Sequence, residues 1–229
     1  VPGVPVIYDG NDKDAAEVIA AKAKELGSPA YKVIQAGAKV LGNNKDGIDF
    51  SLEDDYYGDT RFHIPFIAWY QVMNASLALT TMEVLKDRIP VTMEQLQAGI
   101  ANTRWQGRME TILPGVIVDG AHNEDGVRRF VETAERFQKE YPLTLLFSAV
   151  NDKDYQDMIH TICSRIKFRK VVTTEVGGYR EVPSAELAEI FCKEGCKDVG
   201  NSDNIEEAFH MAHEAKGEAG MLFCVGSLY

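Results

Sequence analysis

The chain has 229 residues, 45% hydrophobic and 26% charged, with a formal net charge of −11 and a pI near 4.9. That balance suits one large or two modest folded domains with a sizeable core, and excludes a disordered chain. The acidity argues against a binder of nucleic-acid backbone or anionic lipid, since both need excess basic surface.

Residues 4–8 read as a short buried strand entered through Val1-Pro2-Gly3. With no initiator Met, the start is expected to be a cut from a longer chain. Asp12 is set to cap a helix over 13–26 that Gly27 closes. A second strand is expected at 31–36, and the alternation through Ile48, Phe50, Leu52 and Phe62 predicts a hairpin or meander over 47–63. A mostly buried helix should run from Ile67 to Leu85. Thr92 should cap a short helix over 93–101, with Glu94 in its first turn. Residues 102–108 lack apolar periodicity and mark a domain boundary. Beyond it strands at 116–118, 143–149, 169–174 and 221–225 alternate with helices at 124–140, 154–164, 184–195 and 204–215. Strand–helix repetition of that length implies a mainly parallel sheet flanked by helices. No apolar run reaches 18 residues and no leader pattern is present.

Ligands of parallel α/β sheets bind at the strands' carboxyl ends. The apolar run Val116–Val118 ends in Asp119-Gly120-Ala121-His122-Asn123, which packs a carboxylate, an imidazole and an amide into five residues. Asn123 is also a natural helix cap, and a strand-end Asp can simply shape a turn. The run 145–150 ends in Asn151-Asp152-Lys153-Asp154, where Asp154 can cap the next helix. Arg108 follows Gly107 just ahead of a strand and could reach across a cleft, or lie on the surface. Gln71 and Asn74 share one face of an apolar helix, where buried amides need partners. They could bond to backbone or read the edge of a base. Neither G-x-x-x-x-G-K-[ST] nor G-x-G-x-x-G occurs. His63, His122, His160, His210 and His213 lack zinc spacing, so no metal site is expected in this chain. Cys163, Cys192, Cys196 and Cys224 form no C-x-x-C pair and are expected to be reduced thiols. Cys192 and Cys196, four apart, would share a face if both were helical.

Taken in order, Gln71-Val72-Met73-Asn74-Ala75, Trp105-Gln106-Gly107-Arg108-Met109-Glu110, Val118-Asp119-Gly120-Ala121-His122-Asn123, Asp152-Lys153-Asp154 and Gly226-Ser227-Leu228-Tyr229 resemble the folylpolyglutamate/dihydrofolate synthases of the Mur ligase superfamily. Tyr70 stands where the family motif often has His. The resemblance implies that residues 1–103 are the C-terminal part of a central ATP-binding domain. Residues 104–229 would be the Rossmann-like α/β Mur ligase C-terminal domain. It implies a cytoplasmic, monomeric ATP-dependent ligase that adds glutamate to folate or dihydropteroate through an acyl phosphate. Position by position, Asn74 resembles the residue that meets adenine, Arg108 the one that meets ATP phosphates, and Asp119 a second nucleotide contact. His122 would be catalytic beside the same nucleotide, and Lys153 and Arg180 would serve the amino-acid side. Magnesium ligands and the phosphate loop are expected upstream of Val1, so the polypeptide alone should be inactive, and its first 103 residues less stable than the rest. Two alternatives remain at this point, a peptidoglycan-precursor Mur ligase fragment and a nucleotide-binding module without catalysis.

Overall fold

The structure is a computed structural model and describes residues 1–44, 46–178 and 180–226. The chain divides into two compact units, Val1–Arg104 and Trp105–Tyr229, each taken by itself below.

In the first unit, β1 (Val6–Asp9) pairs in parallel with β2 (Ala30–Val33) through helix α1 (Lys13–Glu25). Asp12 caps α1 by accepting the Ala15 N–H at 3.0 Å, and Gly27 leaves it with a φ of 62°, the left-handed turn glycine adopts without penalty. Beyond Val33 the chain turns through a single 3-10 turn at Gln35–Gly37, so the strand expected over 31–36 is shorter than its apolar run. A meander of β3 (Ala38–Asn44), β4 (Gly47–Leu52) and β5 (Phe62–Ile64) follows. Its inward side chains Ile48, Phe50, Phe62 and Ile64 pack on Val72 and Leu79 of α2 (Tyr70–Val84) and on Leu96 of α3 (Met93–Ala101). Tyr57 ties the meander to α2 through its hydroxyl, which donates to the Leu79 carbonyl at 2.7 Å. Burial pushes that phenol's pKa upward.

The second unit is built on one six-stranded sheet. In chain order its strands are β6 (Glu110–Leu113), β7 (Val116–Asp119), β8 (Leu143–Ser148), β9 (Phe168–Thr173), β10 (Val199–Asn201) and β11 (Met221–Gly226). In space they run β10-β9-β8-β11-β7-β6. All neighbours are parallel except β6 against β7. Helices α4 (Glu124–Phe137), α5 (Tyr155–Arg165) and α6 (Ser184–Lys193) carry the chain outward to β10, and α7 (Ile205–Lys216) returns it to β11 in the middle. Crossovers of one hand place outward and returning helices on opposite faces. The side chains agree. Leu222 and Leu146 face Ala208 and Ala212 of α7, whereas the alternate residues Phe223 and Phe147 meet Phe130 of α4 and Phe191 of α6, with ring centroids 5.5 and 5.4 Å apart.

Helix α6 ends at Lys193, and Gly195, with a φ of 93°, turns the chain away. Cys196 therefore does not share a helical face with Cys192. Its sulfur lies 3.6 Å from Cys163 on α5. No described helix is long and apolar enough to cross a membrane.

Candidate functional site

The carboxyl end of β7 is clamped to the loop before β6. Gly120 donates its N–H to the Gly107 carbonyl at 2.7 Å. Gly107 in turn donates its N–H to Oε2 of Glu110 at 2.9 Å. Between them, Gly107 has a φ of 64° and Met109 a φ of 50°. Left-handed geometry is free for glycine and costly for a methionine. The Met109 side chain is fully buried, which helps to hold it there.

Behind that clamp, Arg108 lies within electrostatic range of Asp119. Asp119 is only 4% exposed. Its carboxylate accepts the N–H groups of Met109 and Ala121, and the Arg108 guanidinium also favours its charged form. Burial outweighs all three and pushes its pKa up to about 7, since removing a carboxylate from water penalises its ionised form. A strand-end acid that only shaped a turn would stay in water. This one is held dry within electrostatic range of a cation.

His122 leaves the same turn half-buried, with Nδ1 2.7 Å from the Gly120 carbonyl. A carbonyl only accepts, so Nδ1 carries the proton and Nε2 keeps a lone pair in the neutral ring. Asn123 is the cap of α4 and accepts the Gly126 N–H at 2.8 Å.

The other expected residues fall elsewhere. Lys153 sits in the turn after β8, where Asp154 caps α5 by accepting the Asp157 N–H at 3.3 Å. Arg180 is joined to that turn twice: Nη1 donates to Asp152 Oδ2 at 2.9 Å, and its carbonyl accepts the Asn151 N–H at 2.7 Å. An isolated bridge between Val150 and Glu181 ties the two segments. In the first unit, exposed Asn74 donates from Nδ2 to Oε1 of buried Gln71 at 2.8 Å, so the two amides orient each other. Gly226 closes β11 with a φ of 139°, and a side chain there would collide with the Ser148 carbonyl. The remaining residues of that motif, Ser227 to Tyr229, lie outside the described residues.

Sequence reasoning missed the strained backbone of Met109 and the role of Glu110 as a fastener of the Arg108 loop. Gly107 was the only signal of an unusual backbone there. It also missed a cavity of about 490 Å³ on the α7 side of the strand ends. Apolar Ile112, Val118, Leu146 and Phe209 wall it, with Asp119, Ser148, Thr174 and His210 at its polar points. Among the described residues no group of three or more His, Cys, Asp or Glu could hold a metal ion.

A mainly parallel six-stranded sheet with helices on both faces carries a buried acid at its carboxyl rim, an architecture that suits an α/β domain of the Mur ligase class. The family described as "Mur ligase, glutamate ligase domain" matches residues 107–228, and the chain belongs to it. Its relatives narrow the branch. It is 28% identical to the dihydrofolate synthase/folylpolyglutamate synthase of Bacillus subtilis, over 99% of this chain and 53% of that protein. It is 30% identical to the folylpolyglutamate synthase of Lacticaseibacillus casei, over 68% of this chain and 37% of that protein. The fold matches the folylpolyglutamate synthase of Thermotoga maritima with a TM-score of 0.78 at 23% identity, over 99% of this chain and 52% of that one. It also matches the Mycobacterium tuberculosis folylpolyglutamate synthase complexed with ADP and AMPPCP, with a TM-score of 0.72 at 22% identity, over 94% of this chain and 51% of that one. The chain thus spans about half the length of relatives that match it end to end.

Proposed function

We propose that this chain is the C-terminal half of a cytoplasmic ATP-dependent ligase that joins glutamate to folate or dihydropteroate. In that reading residues 1–103 complete an ATP-binding domain and residues 104–229 form the domain that meets the nucleotide. The observation that carries it is the clamped pair of Arg108 and dry Asp119 at the carboxyl end of β7, one turn from His122. The relatives' names favour folate chemistry over peptidoglycan chemistry and over a binding module without catalysis.

The reaction moves the γ-phosphoryl group of ATP to a substrate carboxylate, giving an acyl phosphate and ADP. The glutamate amine then attacks the acyl carbon and expels phosphate as the amide forms. Arg108 would hold phosphate oxygens, a cation on charge that shifts between donor and acceptor. Asp119 would take a nucleotide hydroxyl. Burial leaves it close to half-protonated near neutral pH, able to accept or to donate a hydrogen bond. His122 would serve as catalytic base, because its Nδ1 is engaged with Gly120 and Nε2 remains to take the proton the amine sheds. Asn74, its amide oriented by Gln71, would read the adenine edge. Lys153 and Arg180 would lie on the glutamate side, with Arg180 braced by Asp152. The chain alone lacks a phosphate loop motif and should not turn over ATP. Magnesium belongs to the same reading, with its ligands outside the described residues.

The test is radiolabelled glutamate incorporation by the full-length protein with ATP and either tetrahydrofolate, dihydropteroate or a UDP-muramyl acceptor. A folate acceptor should be extended, and Arg108→Ala should lower kcat/KM about 100-fold, as loss of one charge-stabilising donor does. Extension of the UDP-muramyl acceptor alone, or full activity in Arg108→Ala, would overturn the reading.

A further inference from the structure

The loop from Gly107 to Met109 is held in an unfavourable backbone. Met109 is the only non-glycine residue with positive φ among the described residues, and such a position costs on the order of 1 kcal/mol that its surroundings must offset. Three backbone fasteners are present. Gly120 binds the Gly107 carbonyl, Asp119 takes the Met109 N–H, and Glu110 takes the Gly107 N–H. The first two belong to the β7 end itself. Glu110 comes from the opposite direction, since β6 pairs it antiparallel with Val118. Its carboxylate reaches back three residues to the start of the loop. Arg108 lies inside the closed ring of contacts.

We propose that Glu110 is a positioning residue: by accepting the Gly107 N–H it locks the loop in the conformation that keeps the Arg108 guanidinium beside Asp119. The inference deepens the reading of this site, and its meaning for catalysis rests on that reading. The geometric claim does not. A glutamate that only capped a turn would affect stability and leave Arg108 and Asp119 alone.

The proposal fixes the sign of a measurable change. The charge that bears on Asp119 is Arg108 on the loop; the other titratable groups that face this end of the sheet are His122 in its own turn and Glu206 and His210 of α7, which line the adjoining cavity. Glu110 is itself an anion near this site, so its plain electrostatic effect would be to raise the Asp119 pKa. Removing it would then lower that pKa. If Glu110 instead holds Arg108 in place, removing it frees the cation, and the pKa of Asp119 rises. The two roles move the titration in opposite directions.

The experiment is a carbon-detected NMR titration of the Asp119 carboxyl in this chain, with thermal unfolding as the control for folding. Glu110→Ala should raise the midpoint by about one pH unit, as loss of a nearby opposite charge does. Arg108→Ala should raise it similarly, and the double variant no further. Glu110→Gln loses the same negative charge but keeps an oxygen for the Gly107 N–H, so its midpoint should stay at or below that of the wild type. Glu110→Met preserves bulk without an acceptor and replaces Glu110→Ala should that variant fail to fold. A fall or no change in the alanine or methionine variant overturns the proposal, as does a rise in Glu110→Gln.

A second arm uses ADP as the probe on the full-length protein. Its Kd should weaken about tenfold in Glu110→Ala and recover in Glu110→Gln. Absence of ADP binding by the wild type would sink the nucleotide reading and leave the titration to decide the role of Glu110. ADP binding weakened by Arg108→Ala but not by Glu110→Ala would sink the role of Glu110 alone.

Discussion

Strands β8 and β2 both pair in parallel, yet all six residues of β8 are buried and three of the four in β2 are exposed. The difference lies in their company. β8 has β9 on one side and β11 on the other, with helices above and below. β2 has only β1 as a strand partner among the described residues, with α1 and α2 against it, and leaves Tyr31 at 40% exposure. Parallel strands are stable where both faces are covered, because their near-continuous apolar runs have no side to give to water. The first unit answers with its antiparallel meander, which needs only one covered face. The second unit puts its stability into one sheet and can therefore carry a buried acid at its rim.

The sharpest way to break that comparison is to remove one ring from each unit. Phe223 of β11 is fully buried between Phe130 and Phe137. Phe223→Ala should cost about 3–5 kcal/mol, the usual toll of an aromatic cavity. Tyr31→Ala should stay within about 0.5 kcal/mol. Urea unfolding followed by probes in each unit reads both. Comparable losses would mean that β2 is as well packed as β11. Hydrogen exchange gives the same contrast amide by amide: β8 should open only with global unfolding and β2 far sooner.

A smaller effect tests the claim that the second unit tolerates a dry carboxylate. Asp119 is the one carboxylate among the buried residues described. Its pKa is raised from 3.8 to about 7 in the fold. Between those values the folded state binds more protons than the unfolded state, so stability falls as pH rises. The contribution is favourable below about pH 4, declines through pH 4–7 and is flat above. The loss across the window is no more than about 4 kcal/mol, since each pH unit within it removes at most roughly 1.36 kcal/mol. Urea midpoints of the second unit from pH 4 to 8 should fall more steeply in the wild type than in Asp119→Asn. Parallel profiles would mean that Asp119 is solvated.

The strands invisible to pattern reading share one property. β3, β6 and β10 are the edges of their sheets, and most of their residues are exposed or half-buried. An edge strand has little burial to write an alternation into its sequence, and β3 carries Gly42, Asn43 and Asn44 besides. Four helix starts were legible because their caps are chemical: Asp12, Thr92, Asn123 and Asp154 each accept a first-turn N–H. At the candidate site, Asp119 and His122 stood out by their place at a strand end, and Arg108 by the glycine before it and by the resemblance of its motif. The Met109 backbone and the reach of Glu110 did not, because a left-handed methionine leaves no mark in composition or period. Cys196 meets Cys163 rather than sharing a face with Cys192, since a four-residue spacing means a shared face only while the helix lasts.

The smallest effect separates a cap that only stabilises from one that also shapes the site. In the first unit Thr92 Oγ1 accepts the Gln95 N–H at 3.3 Å while Gln95 Oε1 accepts the Thr92 N–H at 2.8 Å, a reciprocal box whose residues have no expected chemical role. In the second, Asn123 caps α4 one residue after His122. Alanine at either position should cost about 1 kcal/mol. Aspartate at 123 should return most of that loss, because it keeps the acceptor and places a negative charge on the helix N-terminus. The units should then part company in the His122 imidazole resonances. Asn123→Ala frees the turn that fixes Gly120 and should move them, Asn123→Asp should not, and Thr92→Ala should leave them untouched. Unchanged His122 signals in Asn123→Ala would mean that the Gly120 contact alone orients the ring, and that Asn123 serves the helix and nothing else.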